Sequence, residues 1–205
     1  MKYIEIHLKH NDLNHVLNPV LDHRMTQPRT VKTKARSYAE RVLKVDHAGE
    51  NGAVHIYAGQ IAVARFTAPS LVAELREFQS HEEKHRAIFA AELERRGVRR
   101  CRSFRLCGWG GYLLGLTTAL CGRAAIAATT VAVERVVLAH LHEQLEQLQG
   151  HDAAAFAAVA SIAAEEQEHH DKSAAHAAQG GAWPKILSPV VSMSTESVIW
   201  LGMRM

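Results

Sequence analysis

Apolar residues recur at steps of three or four along the chain from about residue 36 onward, which is the spacing of amphipathic helices. The pattern predicts an all-α domain over residues 36–205. Residues 1–35 lack this periodicity and contain Pro19 and Pro28. We therefore expect them to form a loosely ordered N-terminal arm. The approximate bounds of the five predicted helices are 35–66, 71–96, 106–148, 153–180 and 184–201.

Turn and capping residues separate these helices. Pro69 and Ser70 mark a turn, Gly150 ends the third helix, and Asp152 suits the N-cap of the fourth. Short turns between long helices favour antiparallel neighbours. The first four helices are therefore predicted to form a bundle, with the fifth as an extra C-terminal helix.

An acidic pattern occurs twice on the inward faces. Residues three apart on a helix share one face, so each Glu-x-x-His can aim at one point. Four buried carboxylates are costly without a counter-charge, and two divalent ions would balance them. This is the ligand set of a di-iron or di-manganese site in a ferritin-like four-helix bundle. Each copy has a glutamate followed 32 residues later by Glu-x-x-His: Glu50 with Glu82 and His85, and Glu134 with Glu166 and His169.

The neighbours of these residues give two further predictions. His81 and Glu83 lie about 100° round the helix from the carboxylate between them, so we expect both to face solvent rather than metal. Gly49 and Gly52 flank the first carboxylate, although a helical glycine costs about 1 kcal/mol against alanine. A neighbouring helix or a ligand is therefore expected to approach closely there.

The charge pattern changes in the middle of the chain. Residues 95–105 contain six arginines and no acid, and the 17 residues 106–122 contain no charge. This run includes Trp109, Gly111 and Tyr112, which we assign to substrate access and membrane contact. It is short for a membrane span, and its basic flank favours peripheral docking on an anionic membrane. A buried helix start preceded by a solvated loop is the alternative.

Composition narrows the function classes. The net charge of +3 is too small to indicate a nucleic-acid partner. Three cysteines without a Cys-x-x-Cys pair favour a reducing compartment and exclude a rubredoxin-type iron site. The first residues lack an apolar core of signal-peptide length, so we expect an intracellular protein.

Four segments carry distinctive sequences: Val45-Asp46-His47-Ala48-Gly49-Glu50, Ile56-Tyr57-Ala58-Gly59-Gln60, Thr130-Val131-Ala132-Val133-Glu134 and Glu165-Glu166-Gln167-Glu168-His169-His170-Asp171. Together they resemble the demethoxyubiquinone hydroxylase family, the ferritin-like di-iron monooxygenases of ubiquinone biosynthesis. The resemblance covers roughly residues 36–205.

The resemblance implies a role for each matching position. His140 matches a histidine that the family keeps near the site, and Tyr57 is assigned with it as a residue that supports the ligands or takes part in catalysis. Leu141 stands where animal members have a tyrosine, which puts any redox role of that tyrosine in doubt here. The implied ligands are Glu50, Glu82 and His85 for one iron and Glu134, Glu166 and His169 for the other, with Glu82 and Glu166 bridging.

The resemblance also implies a reaction and a location. Two iron ions, O2 and an external reductant would hydroxylate the ring of demethoxyubiquinol, a polyprenyl quinol. The protein would lie peripherally on the inner or cytoplasmic face of a membrane. Other ubiquinone-biosynthesis proteins or a lipid-binding protein are expected as partners, and a homo-oligomer is left open. The alternatives are a ferritin- or rubrerythrin-like iron-oxidising or peroxidase protein, a ribonucleotide reductase radical subunit and a non-catalytic membrane scaffold.

Overall fold

Seven α-helices follow one another in the part of the chain that the structure describes. The computed structural model describes residues 34–178 and 181–204. The all-α bundle and its extra C-terminal helix are confirmed, whereas the predicted arm falls outside the described residues up to position 33. The helices are α1 Lys34–Thr67, α2 Val72–Arg95, α3 Phe104–Leu120, α4 Arg123–Leu148, α5 Ala153–Ala160, α6 Ala163–Ala177 and α7 Trp183–Gly202.

The prediction of one long third helix is wrong, because α3 and α4 are separate. α3 ends at Leu120 and α4 begins at Arg123. Gly122 lies between them with a φ of +86°, a conformation that residues with a Cβ atom rarely adopt. The charge-free segment is therefore a helix of its own rather than the start of the helix that carries Glu134.

The predicted fourth helix also divides, into α5 and α6. The Ser161 hydroxyl donates to the Ala158 carbonyl at 2.8 Å, a local bond that competes with the regular helical ladder. The Asp152 carboxylate caps α5 by accepting a hydrogen bond from the Ala155 N–H at 3.0 Å, as predicted. After this break, α6 begins at Ala163, just before the second Glu-x-x-His pair.

The end of α2 is fixed to the start of α5. Gly97 adopts a φ of +64°, and the Val98 N–H donates to the Leu93 carbonyl at 2.9 Å, as in a Schellman motif. The Arg96 guanidinium then donates two hydrogen bonds to the Asp152 carboxylate, at 2.7 and 2.8 Å. Such bidentate pairs fix the relative orientation of the elements that they join.

Two apolar clusters fill the bundle on either side of the predicted carboxylates. Full burial of one Leu or Phe side chain contributes about 1.5–3 kcal/mol, so the clusters stabilise the helices at both ends of the polar layer. Along α1, α2 and α4, one ligand lies between a residue of the first cluster and a residue of the second: Glu50 between Leu43 and Tyr57, Glu82 between Phe89 and Phe78, and Glu134 between Leu141 and Ile126.

Helix α3 packs along α1 through glycines. A Cβ atom on Gly111 or Gly115 would overlap the carbonyl oxygen of Gly52 or Ile56, respectively. Gly59 of α1 faces the α3 backbone in the same way. The contacting residue numbers rise together along both helices, so α3 runs parallel to α1. The close approach predicted beside Glu50 is therefore made, on the Gly52 side, by a neighbouring helix.

Gly111, assigned above to substrate access, also has a role in helix packing. Its missing side chain makes room for the α1 backbone at Gly52. A larger residue there would separate α1 from α3 rather than block a ligand alone. Gly110 differs, because a Cβ atom there would meet nothing within 4 Å.

These contacts predict opposite effects for two matched substitutions in α3. Gly115→Ala should lower the free energy of unfolding by roughly 1–3 kcal/mol, because its methyl group forces the two backbones apart. Gly110→Ala should be neutral or stabilise by up to about 1 kcal/mol, because it only removes a helical glycine. Chemical denaturation followed by circular dichroism measures both. Equal effects at the two positions would contradict the packing described.

Candidate metal centre

The six predicted ligands meet in the centre of the bundle. Glu50 comes from α1, Glu82 and His85 from α2, Glu134 from α4, and the second Glu-x-x-His pair from α6. All six side chains are buried. Their ligand atoms form two sets, each lying within 4.8 Å of one another: Glu50, Glu82, His85 and Glu166, and Glu82, Glu134, Glu166 and His169.

Glu82 and Glu166 belong to both sets, so each can bridge two ions. The His85 Nδ1 atom lies 2.9 Å from Glu166 Oε1, and the His169 Nδ1 atom lies 3.1 Å from Glu82 Oε1. Each imidazole therefore lies beside the glutamate of the other Glu-x-x-His pair. This crossed arrangement reflects the duplication in the sequence and supports the predicted bridging role of both glutamates.

Several atoms that face the centre have no hydrogen-bond partner among the described residues. They are Glu82 Oε1, His85 Nδ1, Glu166 Oε1 and His169 Nδ1. An unpartnered buried polar atom costs about 1–3 kcal/mol. Carboxylate oxygens and imidazole nitrogens are also ligands that iron and manganese accept. The residues present therefore fit a pair of divalent ions.

The electrostatics of the protein alone lead to the same conclusion. Burial raises the pKa of the Glu50 and Glu134 carboxyls well above the usual value, and nearby carboxylates add to the shift. Burial also opposes charge on His169, but the adjacent Glu166 and Glu82 carboxylates outweigh it and raise its pKa to about 9. Without metal, protons would have to compensate much of the negative charge. Divalent ions can replace these protons.

A second layer of side chains holds the two imidazoles. The His85 Nε2 atom lies 2.7 Å from Glu165 Oε2, and the His169 Nε2 atom lies 3.0 Å from His81 Nδ1. Both imidazoles thus turn Nδ1 toward the centre and engage an outer partner through Nε2. Such partners fix the ring orientation and adjust the basicity of metal-bound histidines.

The sequence prediction for His81 holds in one part only: His81 is not among the candidate ligands, but it does not simply face solvent. Its half-buried ring lies nearly coplanar with that of His169, with centroids 5.3 Å apart and Nδ1 3.0 Å from His169 Nε2. His81 lies about 100° round α2 from Glu82, but it precedes His85 by one turn and so shares the face of His85. Glu83 is exposed, as predicted. Glu165 was not predicted as an outer partner, because its contact comes from another helix.

Tyr57 contacts a candidate ligand, whereas His140 contacts the C-terminal helix. The Tyr57 hydroxyl donates to Glu134 Oε1 at 3.3 Å, so this side chain lies beside a candidate ligand. His140 instead pairs with Glu196 of α7, with Nε2 and Oε2 2.9 Å apart. It lines the cavity described below and joins α4 to α7. A catalytic role for either residue remains a prediction.

A cavity of about 310 Å³ opens onto the carboxylates. The four glutamate ligands line it, together with mainly apolar residues of α1, α3, α4 and α7. Leu106 of α3 and Val198 and Leu201 of α7 line the cavity and are also exposed, so they mark its mouth. Gly49, beside Glu50, also lines it, and a Cβ atom there would meet nothing within 4 Å. The cavity therefore connects the centre with the surface between α3 and α7.

The residues assigned to substrate access divide into two groups. Gly111 lines the cavity as well as contacting α1. Trp109 and Tyr112 do not line it; Trp109 is 76% exposed and Tyr112 36% exposed on the outer face of α3. The two aromatic residues therefore do not form the passage to the centre, but they lie on the same helix as its mouth.

An all-α bundle that buries two Glu-x-x-His pairs and two further glutamates around one point has the arrangement of the ferritin-like dinuclear carboxylate proteins. The family model described as Ubiquinone biosynthesis protein COQ7 matches residues 37–202. The chain belongs to this family.

Curated relatives agree over most of the chain. A Rhodospirillum rubrum protein named 3-demethoxyubiquinol 3-hydroxylase is 35% identical over 166 residues, 80% of this chain and 77% of its own length. Proteins named NADPH-dependent 3-demethoxyubiquinone 3-hydroxylase, mitochondrial, come from Dictyostelium discoideum and Homo sapiens. The first is 34% identical and covers 82% of this chain and 78% of its own length. The second is 31% identical and covers 86% of this chain and 82% of its own length.

The outer partner of His85 gives a test of the centre. Wild-type protein should bind about two ferrous ions per chain anaerobically. Glu165→Gln should weaken the affinity for ferrous ion about 10- to 100-fold, because His85 loses a charged partner. Glu83→Gln is the control: it is exposed and lies next to Glu82 as Glu165 lies next to Glu166. Equal affinities for ferrous ion in wild type and Glu165→Gln would show that Glu165 does not support the metal centre.

Proposed function

We propose that this protein is an O2-dependent di-iron monooxygenase that hydroxylates the ring of demethoxyubiquinol in ubiquinone biosynthesis. The observation that carries the proposal is the duplicated carboxylate–histidine centre at the end of an apolar cavity. Relatives from bacteria and eukaryotes are named as 3-demethoxyubiquinol or 3-demethoxyubiquinone 3-hydroxylases, which supports the same substrate class.

The chemistry of the proposed reaction requires a redox metal. Two ferrous ions held by the six ligands would supply the reduction of O2, which zinc or magnesium cannot provide. One oxygen atom would enter a ring C–H bond and the other would leave as water, which consumes two electrons and two protons. An external reductant must supply these electrons. NADPH is the first donor to test, because the Dictyostelium and human relatives are named NADPH-dependent.

The residues of the chain would bind and shield the reacting groups. Ile56, Val133 and Val137 give the cavity an apolar wall near the carboxylates, where a flat ring could lie away from water. Glu165 and His81 would hold the two imidazoles in place from outside. The Tyr57 hydroxyl would keep Glu134 oriented through its hydrogen bond.

An iron-oxidising or peroxidase protein of the ferritin or rubrerythrin kind is the second candidate. It would use the same ligands, because the ligand set alone permits several kinds of O2 chemistry. The apolar cavity with an exposed apolar mouth favours an organic substrate over ferrous ion or peroxide. The family membership favours the same choice.

Membrane docking is proposed for the surface around the cavity mouth. Both helices that frame the mouth carry large apolar side chains that remain exposed. A prenyl tail could stay in the bilayer while the ring enters between these helices. The exposed residues are Leu106, Trp109, Leu113 and Leu120 on α3 and Ile186, Val190, Met193, Val198, Trp200 and Leu201 on α7.

The basic flank of this surface is smaller than the sequence indicated. The Arg96 side chain is largely buried and paired with both Glu92 and Asp152, so it is not available to lipid headgroups. The Arg95 side chain is 62% exposed, but its charge is paired with that of Glu92. The remaining arginines of the segment are exposed and make no ion pair with the described residues: Arg99, Arg100, Arg102 and Arg105. Four arginines without a carboxylate partner, rather than six, would therefore face an anionic membrane.

One helix of the described residues, α4, is long and apolar enough to cross a membrane by length and composition. It carries Glu134 into the centre, and 61% of its apolar window is buried in the bundle. A core helix meets the same criterion. We therefore propose peripheral attachment, on the inner or cytoplasmic face of the membrane.

The proposed reaction can be tested in cells of the source organism. Deletion of the gene should cause a demethoxy-quinone precursor to accumulate and ubiquinone to fall, as measured by quinone extraction and mass spectrometry. Wild-type protein should restore ubiquinone, and Glu166→Ala should not, because it removes a bridging ligand while the bundle stays helical. Normal aerobic ubiquinone in the deletion strain, with no second hydroxylase present, would overturn the proposal. Rapid ferrous oxidation without any quinol would then favour the second candidate.

Membrane docking predicts a salt-dependent affinity for vesicles. The triple variant Arg99→Gln, Arg100→Gln, Arg102→Gln should bind anionic liposomes more weakly and with less salt sensitivity, because each basic residue contributes about 1 kcal/mol. Arg76→Gln is the control, since it removes an exposed charge from α2, which carries none of the large exposed apolar side chains. Sedimentation with anionic and neutral vesicles at several salt concentrations measures the affinity of each protein and its salt dependence. Equal binding of all three proteins would contradict docking through this surface.

A further inference from the structure

A polar pair lies in the cavity wall apart from the metal ligands. Gln144 of α4 donates a hydrogen bond from Nε2 to Asp46 Oδ1 of α1 at 3.0 Å. Both residues line the same cavity as the candidate ligands, in a region where Val45, Val137 and Leu141 are apolar neighbours in the wall. The pair is therefore a polar position within a mainly apolar wall.

Each member of the pair keeps one unused acceptor. Asp46 Oδ2 and Gln144 Oε1 are buried and have no hydrogen-bond partner among the described residues. The Gln144 side chain is only 5% exposed. Leaving such groups unpartnered costs about 1–3 kcal/mol each. The arrangement therefore suits a partner that enters the cavity.

The chemistry of the two atoms defines that partner. The Gln144 amide already donates to Asp46, so its free oxygen can only accept, and an ionised carboxylate also only accepts. A ligand must therefore bring a hydroxyl or another donor. A quinol has hydroxyl donors, whereas the corresponding quinone presents carbonyl acceptors that would face acceptors.

The position suits a ring that also reaches the metal centre. Asp46 precedes Glu50 by one helical turn, so the two residues share a face of α1 and lie about 6 Å apart along its axis. A single aromatic ring can bridge such a distance. One hydroxyl could contact the pair while the opposite edge of the ring points toward the ligands.

We propose that Asp46 and Gln144 form a hydroxyl-binding subsite that makes the cavity select the reduced quinol over the oxidised quinone. The inference rests on the proposed function, since it concerns the substrate of the same site. It assigns both residues as specificity-determining and positioning residues, and it does not place either in contact with metal.

Anaerobic binding measurements on the iron-loaded full chain test this subsite without turnover. The probes are a short-tailed methoxy-methyl benzoquinol, its quinone, and its di-O-methyl ether, which keeps the ring but lacks both donors. A pH of 8.5 keeps the Asp46 carboxyl, whose pKa burial raises to about 7, in its accepting form. Wild type should bind the quinol at least about tenfold more tightly than either other probe.

Two variants and a control separate the subsite from the rest of the protein. Asp46→Asn is isosteric and can replace an acceptor by a donor, so it should abolish or reverse the preference for quinol over quinone. Gln144→Met keeps the volume and removes the second acceptor, so it should reduce the preference. Glu143→Gln, which removes an exposed charge from the adjacent position of α4, should leave the wild-type ratio unchanged.

The outcomes distinguish this inference from the proposed function. If wild type binds all probes equally, or if Asp46→Asn retains the wild-type ratio, the subsite is overturned. Hydroxylation by the same wild-type preparation would still leave the proposed function standing. If the wild type neither binds any probe nor hydroxylates quinol, the proposed function fails and the subsite fails with it.

Discussion

The burial of four carboxylates and two imidazoles at one point is the constraint on which the rest of this structure depends. A buried charge without a partner is far more costly than any single apolar contact is favourable. The two apolar clusters therefore have to hold four helical segments around a layer that opposes their association. A pair of divalent ions would convert that layer from a repulsive one into a cross-link between α1, α2, α4 and α6.

The duplication makes the centre nearly symmetric, but its surroundings are not. Each half of the bundle supplies one lone glutamate and one Glu-x-x-His, and each imidazole lies beside the glutamate of the other half. The outer partners differ, because His85 is held by a carboxylate and His169 by the imidazole of His81. A carboxylate partner makes an imidazole a stronger donor than a neutral partner does. The two metal positions are therefore expected to be chemically distinct despite their similar ligands.

The sequence was sufficient for the ligands and the fold class because both depend on short-range spacing. Glu-x-x-His shares one face of any helix, and a lag of 32 residues returns the chain to the same depth. The contacts of Glu165 and His81 join residues 80 and 88 positions apart, and no local pattern specifies them. The break at Gly122 was also missed, because apolar periodicity does not distinguish a continuous helix from two helices around a glycine.

The glycines of α3 are another feature whose role local sequence patterns do not specify, and they connect the fold with the proposed function. A run with many glycines and no charge can indicate space for a ligand or contact with another helix, and here it does both on different faces. Gly111 and Gly115 bring α3 against α1, which leaves the opposite face with Leu106 and Trp109 exposed. α7 presents a similar apolar face after pairing with α4 through Glu196 and His140.

The two added helices therefore give the bundle an apolar exterior at the point where its polar interior can be reached. A substrate entering there would pass from an apolar surface into a mainly apolar cavity. The polar lining of this cavity includes His140, Ser194 and Thr195, and acceptors without a partner among the described residues lie on Asp46, Gln144 and the central carboxylates. An apolar tail would find exposed apolar side chains at the mouth, whereas a hydroxyl-bearing ring would find unpartnered hydrogen-bond acceptors inside. The order of the surfaces would orient an amphipathic molecule ring first, before any contact with the ligands themselves.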